Sequence, residues 1–148
     1  MLRFAKICVW AVLLLVVLTN VSCHNEIDDV VPLVEVRVRI NTLSANYIDL
    51  QNDYGRAIIP NEGFGSNGIL VFRVAENDYR AYDCTCTACV SAGCAVKCDE
   101  GNIAGAVCDS CGSKFELIEC GMPTSGKAKY ALKSYRTSFY DNYLKIRN

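Results

Sequence analysis

The clearest pattern along the chain is the alternation of Val34, Val36, Val38 and Ile40 with Glu35, Arg37 and Arg39. Apolar residues at every second position give a strand one buried face and one wet face. Ala57-Ile58-Ile59 and Ile69-Leu70-Val71-Phe72-Arg73-Val74 are short apolar runs bounded by Gly, Asn and Pro, and they predict strands as well. Asn77-Asp78 marks a turn into a further strand from Tyr79 to Tyr82. Phe115 to Ile118, Tyr130 to Lys133 and Tyr143 to Ile146 are later candidates, separated by Gly, Ser or Asn. One short helical turn is expected between Asn46 and Asp53, and after residue 22 no long stretch has the 3.6-residue period of a helix. The fold class is mainly β.

The first residues follow a different pattern. Arg3 and Lys6 precede twelve residues, Ile7 to Leu18, without a charge or a strongly polar group, and Thr19-Asn20-Val21-Ser22-Cys23 comes next. This is the layout of a secretory signal. Twelve residues at about 1.5 Å each fall well short of a bilayer core of roughly 30 Å, so the segment is expected to be cleaved rather than kept as a span. Cys23, preceded by Val21 and Ser22, resembles the lipobox of bacterial lipoproteins, with Asn20 where that family usually has Leu. The resemblance implies acylation of Cys23 and a peripheral membrane anchor. Glu26, Asp28 and Asp29 resemble the sorting signals of some surface-exposed lipoproteins, and equally suit a solvated tether. The expected organisation is a signal peptide over 1–22, a lipidated tether over 23–33 and one domain over 34–148, placed in the cell envelope on the outer membrane or the cell surface.

Charge narrows the partners. The chain carries a formal charge of −1, and loss of Arg3 and Lys6 with the signal takes it to −3, so no global basic excess points to nucleic acid. Lys127, Lys129, Lys133, Arg136, Lys145 and Arg147 do make the C-terminal region basic, with Asp141 as the one acid among them. A solvated strand edge accounts for this, because edge lysines deter pairing between molecules. Gly63-Phe64-Gly65-Ser66-Asn67-Gly68 fits G-x-G-x-x-G but leads into a strand, whereas a dinucleotide site needs a helix N-terminus there; the glycines read as turn residues.

The cysteines carry the chemistry. Of the ten, Cys8 lies in the signal, Cys23 at its end, and eight fall between Cys84 and Cys120. With Cys23 acylated, an even eight remain, which suits an oxidising compartment. Cys86-Thr87-Ala88-Cys89 and Cys108-Asp109-Ser110-Cys111 form two C-x-x-C pairs 18 residues apart. Each pair places two sulfurs about 3.5–4 Å apart on one tight turn, as a tetrahedral four-thiolate site requires. Zn(II) or iron fits such a site; disulfides are the alternative. Gly112, directly after Cys111, leaves the backbone free to turn toward the thiolates. Cys84, Cys94, Cys98 and Cys120 lack regular spacing; Cys84 can stand in for Cys86, and disulfides such as one between Cys94 or Cys98 and Cys120 are expected to staple a thin core.

Tyr79-Arg80-Ala81-Tyr82-Asp83 leading into a cysteine pair, then Cys108-Asp109-Ser110-Cys111-Gly112-Ser113-Lys114-Phe115-Glu116-Leu117, Gly121 to Ala128 and Leu132, resembles the Rieske iron–sulfur domain, and more narrowly a branch of exported Rieske-like lipoproteins. The resemblance implies a Rieske-like β sandwich with its metal on two loops at one tip. It also departs from that family. A Rieske centre needs two loop histidines, and the one histidine here, His24, lies in the tether, with Ala88 and Cys111 at the loop positions. Four thiolates can hold a [2Fe–2S] cluster, at the low potential of all-cysteine ligation. The signal has no twin arginine, so the chain is expected to cross the membrane unfolded and to meet its metal outside, where zinc needs no assembly machinery.

Three functions follow, in order. The first is a non-catalytic, membrane-tethered β module whose tip is held by zinc, or by disulfides without metal. The second is a [2Fe–2S] electron carrier, and the third a thiol–disulfide oxidoreductase. No catalytic residue is assigned, for the domain has no histidine for acid–base work; Asp83, Asp109 and Glu116 near the cysteines read as solvated loop carboxylates. A protein or ligand partner is expected but not identified by any motif.

Overall fold

A computed structural model of the chain describes residues 30–148. The signal peptide, Cys23 and the tether up to residue 29 lie outside the described residues. The element order is β1 (Arg37–Asn41), a 3-10 turn (Ala45–Gln51), β2 (Arg56–Ile59), a second 3-10 turn (Phe64–Ser66), β3 (Ile69–Ala75), β4 (Asp78–Asp83), β5 (Val96–Cys98), β6 (Gly105–Cys108), β7 (Lys114–Glu116), β8 (Met122–Ser125), β9 (Ser134–Tyr140) and β10 (Tyr143–Arg147). The mainly β class read from the sequence is what the chain adopts.

The strands form two antiparallel sheets. The larger runs β1-β10-β9-β4-β3-β2 and the smaller β5-β6-β7-β8. β3 is the pivot. Its run from Ile69 to Phe72 is buried on both faces, which is why it lacks the polar alternation of β1. Leu70 and Phe72, with Tyr82 of β4, face the smaller sheet and pack with Val96, Ala106, Phe115, Leu117 and Leu132. Ile69 and Val71 face the other way, and join Val36, Ile40, Ile59, Ala81, Tyr135, Leu144 and Ile146 in a second core. Side chains from all six strands of the larger sheet meet there, so that sheet curls around its own core. Residues 31–146 supply every buried apolar side chain of both cores among the described residues.

The smaller sheet is an excursion. The chain leaves the larger sheet at the end of β4 and returns at the start of β9, where Tyr82 lies opposite Ser134 and the Asp83 N–H donates to the Lys133 carbonyl at 2.8 Å. Tyr82 O–H then reaches across to the Leu117 carbonyl at 2.7 Å, tying the two sheets together where the excursion begins.

Local chemistry explains the turns. Asp141 and Asn142 both have positive φ, 49° and 63°, and join β9 to β10 in a two-residue hairpin of the kind whose twist matches its strands. Other sequence expectations shift. Ala131, Leu132 and Lys133 are buried in succession and form no strand; β9 begins after them. Lys133 is buried and donates to the Val31 carbonyl at 3.1 Å, rather than standing in solvent. β9 and β10, which carry Arg136, Lys145 and Arg147, are interior strands, and the edges of that sheet are β1 and β2.

Phe72 fills the space between the sheets with no exposed surface. Phe72→Ala is expected to cost about 3–5 kcal/mol through lost transfer energy and the cavity left behind. The check is a fall in denaturant midpoint with an unchanged slope.

Candidate metal centre

Two loops bring the cysteines together. The first runs from β4 to β5 and is closed on itself by hydrogen bonds from Cys86 N–H to the Cys94 carbonyl at 3.0 Å and from Val96 N–H to the Cys84 carbonyl at 2.7 Å. The second joins β6 to β7. In it Gly112 N–H donates to the Cys108 carbonyl at 2.8 Å, and Cys108 N–H to the Ser113 carbonyl at 2.9 Å. Gly112 has a φ of +71°, the left-handed turn expected of it.

Five sulfurs converge. Cys86 Sγ lies 3.6 Å from Cys111 Sγ, and Cys108 Sγ lies 3.7 Å from both Cys89 Sγ and Cys94 Sγ. The sulfurs of Cys86, Cys89, Cys94 and Cys108 all fall within 4.8 Å of one another. Cys111 lies outside that group and meets it through Cys86, so the mutually close set has Cys94 where the sequence pattern has Cys111. Cys94 could not be placed by spacing; the bridge between Thr85 and Ala95 carries it in.

The disulfide found here differs from the pairings expected. Cys89 is bonded to Cys94, with their Cα atoms 6.1 Å apart across a five-residue separation. Cys94 thus does not pair with Cys120, because the Ser91–Gly93 turn returns it to Cys89. Cys84 and Cys98 carry free thiols, as do Cys86, Cys108 and Cys111. Cys84 does not replace Cys86 in the cluster; it is sealed in the core between the sheets. Cys120 lies with its sulfur 3.7 Å from Arg80 Nη1.

The thiols differ in acidity. Burial pushes Cys86 up to about 12, with a smaller rise from its contacts to Cys111 and Cys108. Burial also raises Cys84 and Cys98. Cys111 is lowered to about 7, first by the Ser113 side chain, whose Oγ lies 3.1 Å from the sulfur. Ser113 is itself held in place, for its Oγ accepts the Lys127 and Ala128 N–H groups, each at 3.0 Å.

The loops rest on Asp83, which is fully buried rather than solvated as its sequence context suggested. Its Oδ2 accepts from Tyr135 O–H at 2.6 Å and Phe64 N–H at 2.8 Å, and its Oδ1 accepts from Thr85 N–H at 2.8 Å. Burial and the adjacent Asp83 hold the Tyr135 phenol well above its ordinary range. A Cβ on Gly63 would fall 2.6 Å from Asp83 Oδ2, which explains a glycine there. Asn67 adds a second clamp: its Nδ2 donates to Thr85 Oγ1 at 2.9 Å and to the Ser91 carbonyl at 3.0 Å, while its Oδ1 accepts from Gly93 N–H at 2.8 Å. The G-x-G-x-x-G segment thus serves as a brace under the cysteine loop. Asp109 is exposed and pairs with Lys97 at 2.6 Å; Glu116 accepts from Asn102 at 3.2 Å.

No protein-family model matches the chain, and no curated protein matches it. Among solved structures it is similar to a chain of the "complex of reduced oxygenase and oxidized ferredoxin in carbazole 1,9a-dioxygenase", at 18% sequence identity and a TM-score of 0.45 over 61% of this chain and 79% of that one.

Two outcomes are expected. Asp83→Ala strands two backbone N–H groups and the Tyr135 hydroxyl, and should lower stability by about 3–5 kcal/mol, read by chemical denaturation. Ser113→Ala removes the group that favours the Cys111 thiolate. The midpoint of alkylation against pH should then move up from about 7 toward the ordinary thiol value of about 8.5, so reaction at neutral pH slows.

Proposed function

We propose that this chain is a membrane-tethered β module of Rieske-like build whose cysteine end is held by a structural zinc ion. The observation that carries the reading is the sulfur spacing. Zinc bound to four thiolates at about 2.3 Å sets the sulfurs roughly 3.8 Å apart, and the cross-loop separations here are 3.6 and 3.7 Å. Cys86, Cys89, Cys108 and Cys111 would hold the ion, two from each loop. Zinc would supply a cross-link without redox chemistry of its own. Cys89 can donate only as a thiolate, so loading requires its bond to Cys94 to be reduced first.

That bond favours a second reading for an oxidising compartment, in which the Cys89–Cys94 disulfide staples the first loop and no metal is held. In either form the cysteine end is a structural element and not a reaction centre. The tether belongs to the same proposal: acylation of Cys23 would keep the module at the envelope surface by a lipid anchor.

Elemental analysis and a visible spectrum, on protein matured in its own envelope and after mild reduction, test this directly. About one zinc per chain without colour is expected. Two irons with acid-labile sulfide would replace the reading by an all-cysteine electron carrier, and absence of metal after reduction and zinc addition would leave the disulfide form. Cys94→Ser should retain zinc while Cys111→Ser loses it; the reverse would assign the ion to Cys86, Cys89, Cys94 and Cys108. Cys108→Ser should lower stability by several kcal/mol, about what loss of a structural metal costs. For the tether, Cys23→Ser should abolish incorporation of labelled fatty acid; incorporation by that variant would refute it.

A further inference from the structure

The outer face of β1, β10 and β9 carries its charges in register. Arg37 lies opposite Arg147 and Arg147 opposite Arg136, while Arg39 lies opposite Lys145. Opposed residues of antiparallel strands point to the same side, so five cations share one face, and all five are exposed. Like charges directly across a ladder destabilise it, so this arrangement works against the sheet that bears it. Glu35, ion-paired to Arg37 at 3.0 Å, is the acid that meets this group among the described residues, and both side chains are about four-fifths exposed, 78% and 84%.

The rim of the face is apolar and aromatic. Tyr143 lies opposite Tyr140 in the next register, the Arg39 guanidinium sits 3.9 Å over the Tyr143 ring, and Tyr140 is 85% exposed. At the other end Leu33, 67% exposed, lines an open groove with Arg37 and Arg147. The chain as a whole is at −1, so this cationic face stands against a surface that is acidic elsewhere.

We propose that this face docks against an anionic lipid bilayer. The cations meet headgroup phosphates, while Leu33 and Tyr140 reach the interfacial layer, where amphipathic side chains are at ease. The uneven charge turns the module so that β1, β10 and β9 face the lipid. In one respect the proposal rests on the tether reading: Arg37 is 14 residues past Cys23, a reach of roughly 50 Å at full extension, so an anchored domain stays within range of the bilayer.

The test uses residues 24–148 without acylation, since both cores close within residues 31–146. Co-sedimentation is measured with vesicles of phosphatidylcholine alone and with phosphatidylglycerol added, at low and high salt. The expected result is binding to the anionic vesicles at low salt, release at high salt, and none to the neutral vesicles. Arg37→Gln with Arg147→Gln should weaken binding about 25-fold, or about fivefold per cation removed, with a melting temperature unchanged or raised. Equal binding to neutral vesicles, or an unaffected double variant, would overturn the proposal. Tight binding to heparin without binding to vesicles would overturn it too, by assigning the face to a soluble polyanion. Because this chain lacks Cys23, failure here is distinct from failure of the acylation test.

Discussion

A carboxylate removed from water must find donors in the protein, and Asp83 finds one two residues on in its own loop and two in segments distant in sequence. Phe64 belongs to the glycine-rich turn, Thr85 to the cysteine loop and Tyr135 to β9. Satisfying one buried anion therefore fixes the turn, the loop and the strand relative to one another. The cysteine loop inherits that order: Cys86 follows Thr85 directly, and Asn67 extends the same brace to Ser91 and Gly93. The sulfurs are thereby assembled by polar groups that are not sulfur ligands.

Much of the larger sheet was legible in the sequence because its strands bury faces in a regular way. Val36 and Ile40 are buried while Arg37 and Arg39 between them are exposed, and the unbroken run Ile69–Phe72 announces a strand covered on both sides. Of the smaller sheet only β7 was legible, from the expected strand at Phe115 to Ile118. β5, β6 and β8 have three or four residues each, Val-Lys-Cys, Gly-Ala-Val-Cys and Met-Pro-Thr-Ser, too short to show an alternation of their own, so their pairing is imposed by tertiary contacts rather than by local preference. At the cysteine end the two C-x-x-C turns were readable as local motifs. Cys94 and Asp83 were not, since both are placed by pairing across the chain and neither has a spacing that signals it. The basic C-terminal residues were visible, but that Arg136 and Arg147 line up with Arg37 is a matter of register, which composition does not contain.

With a metal at the proposed site, the sulfurs would present the protein with a choice. Cys89 cannot be bonded to Cys94 and also donate to a metal with Cys86, Cys108 and Cys111. Oxidation and metal loading would be mutually exclusive at that one atom. Cys84, buried away from this contest and with its thiol pushed up by burial, is kept chemically quiet beside it.

The return of the chain to its point of departure bears on how the whole domain comes together. Asp83 and Tyr135, which bond to each other, are 52 residues apart in sequence. Closing a flexible loop of that length costs about 3.5 kcal/mol in length-dependent chain entropy alone. If the intervening excursion is already condensed, by its own core and by whatever joins its sulfurs, most of that loop no longer has freedom to lose when β4 meets β9. A cross-link between the two cysteine loops would then strengthen a sheet that contains none of its sulfurs, acting through the ensemble of unfolded conformations.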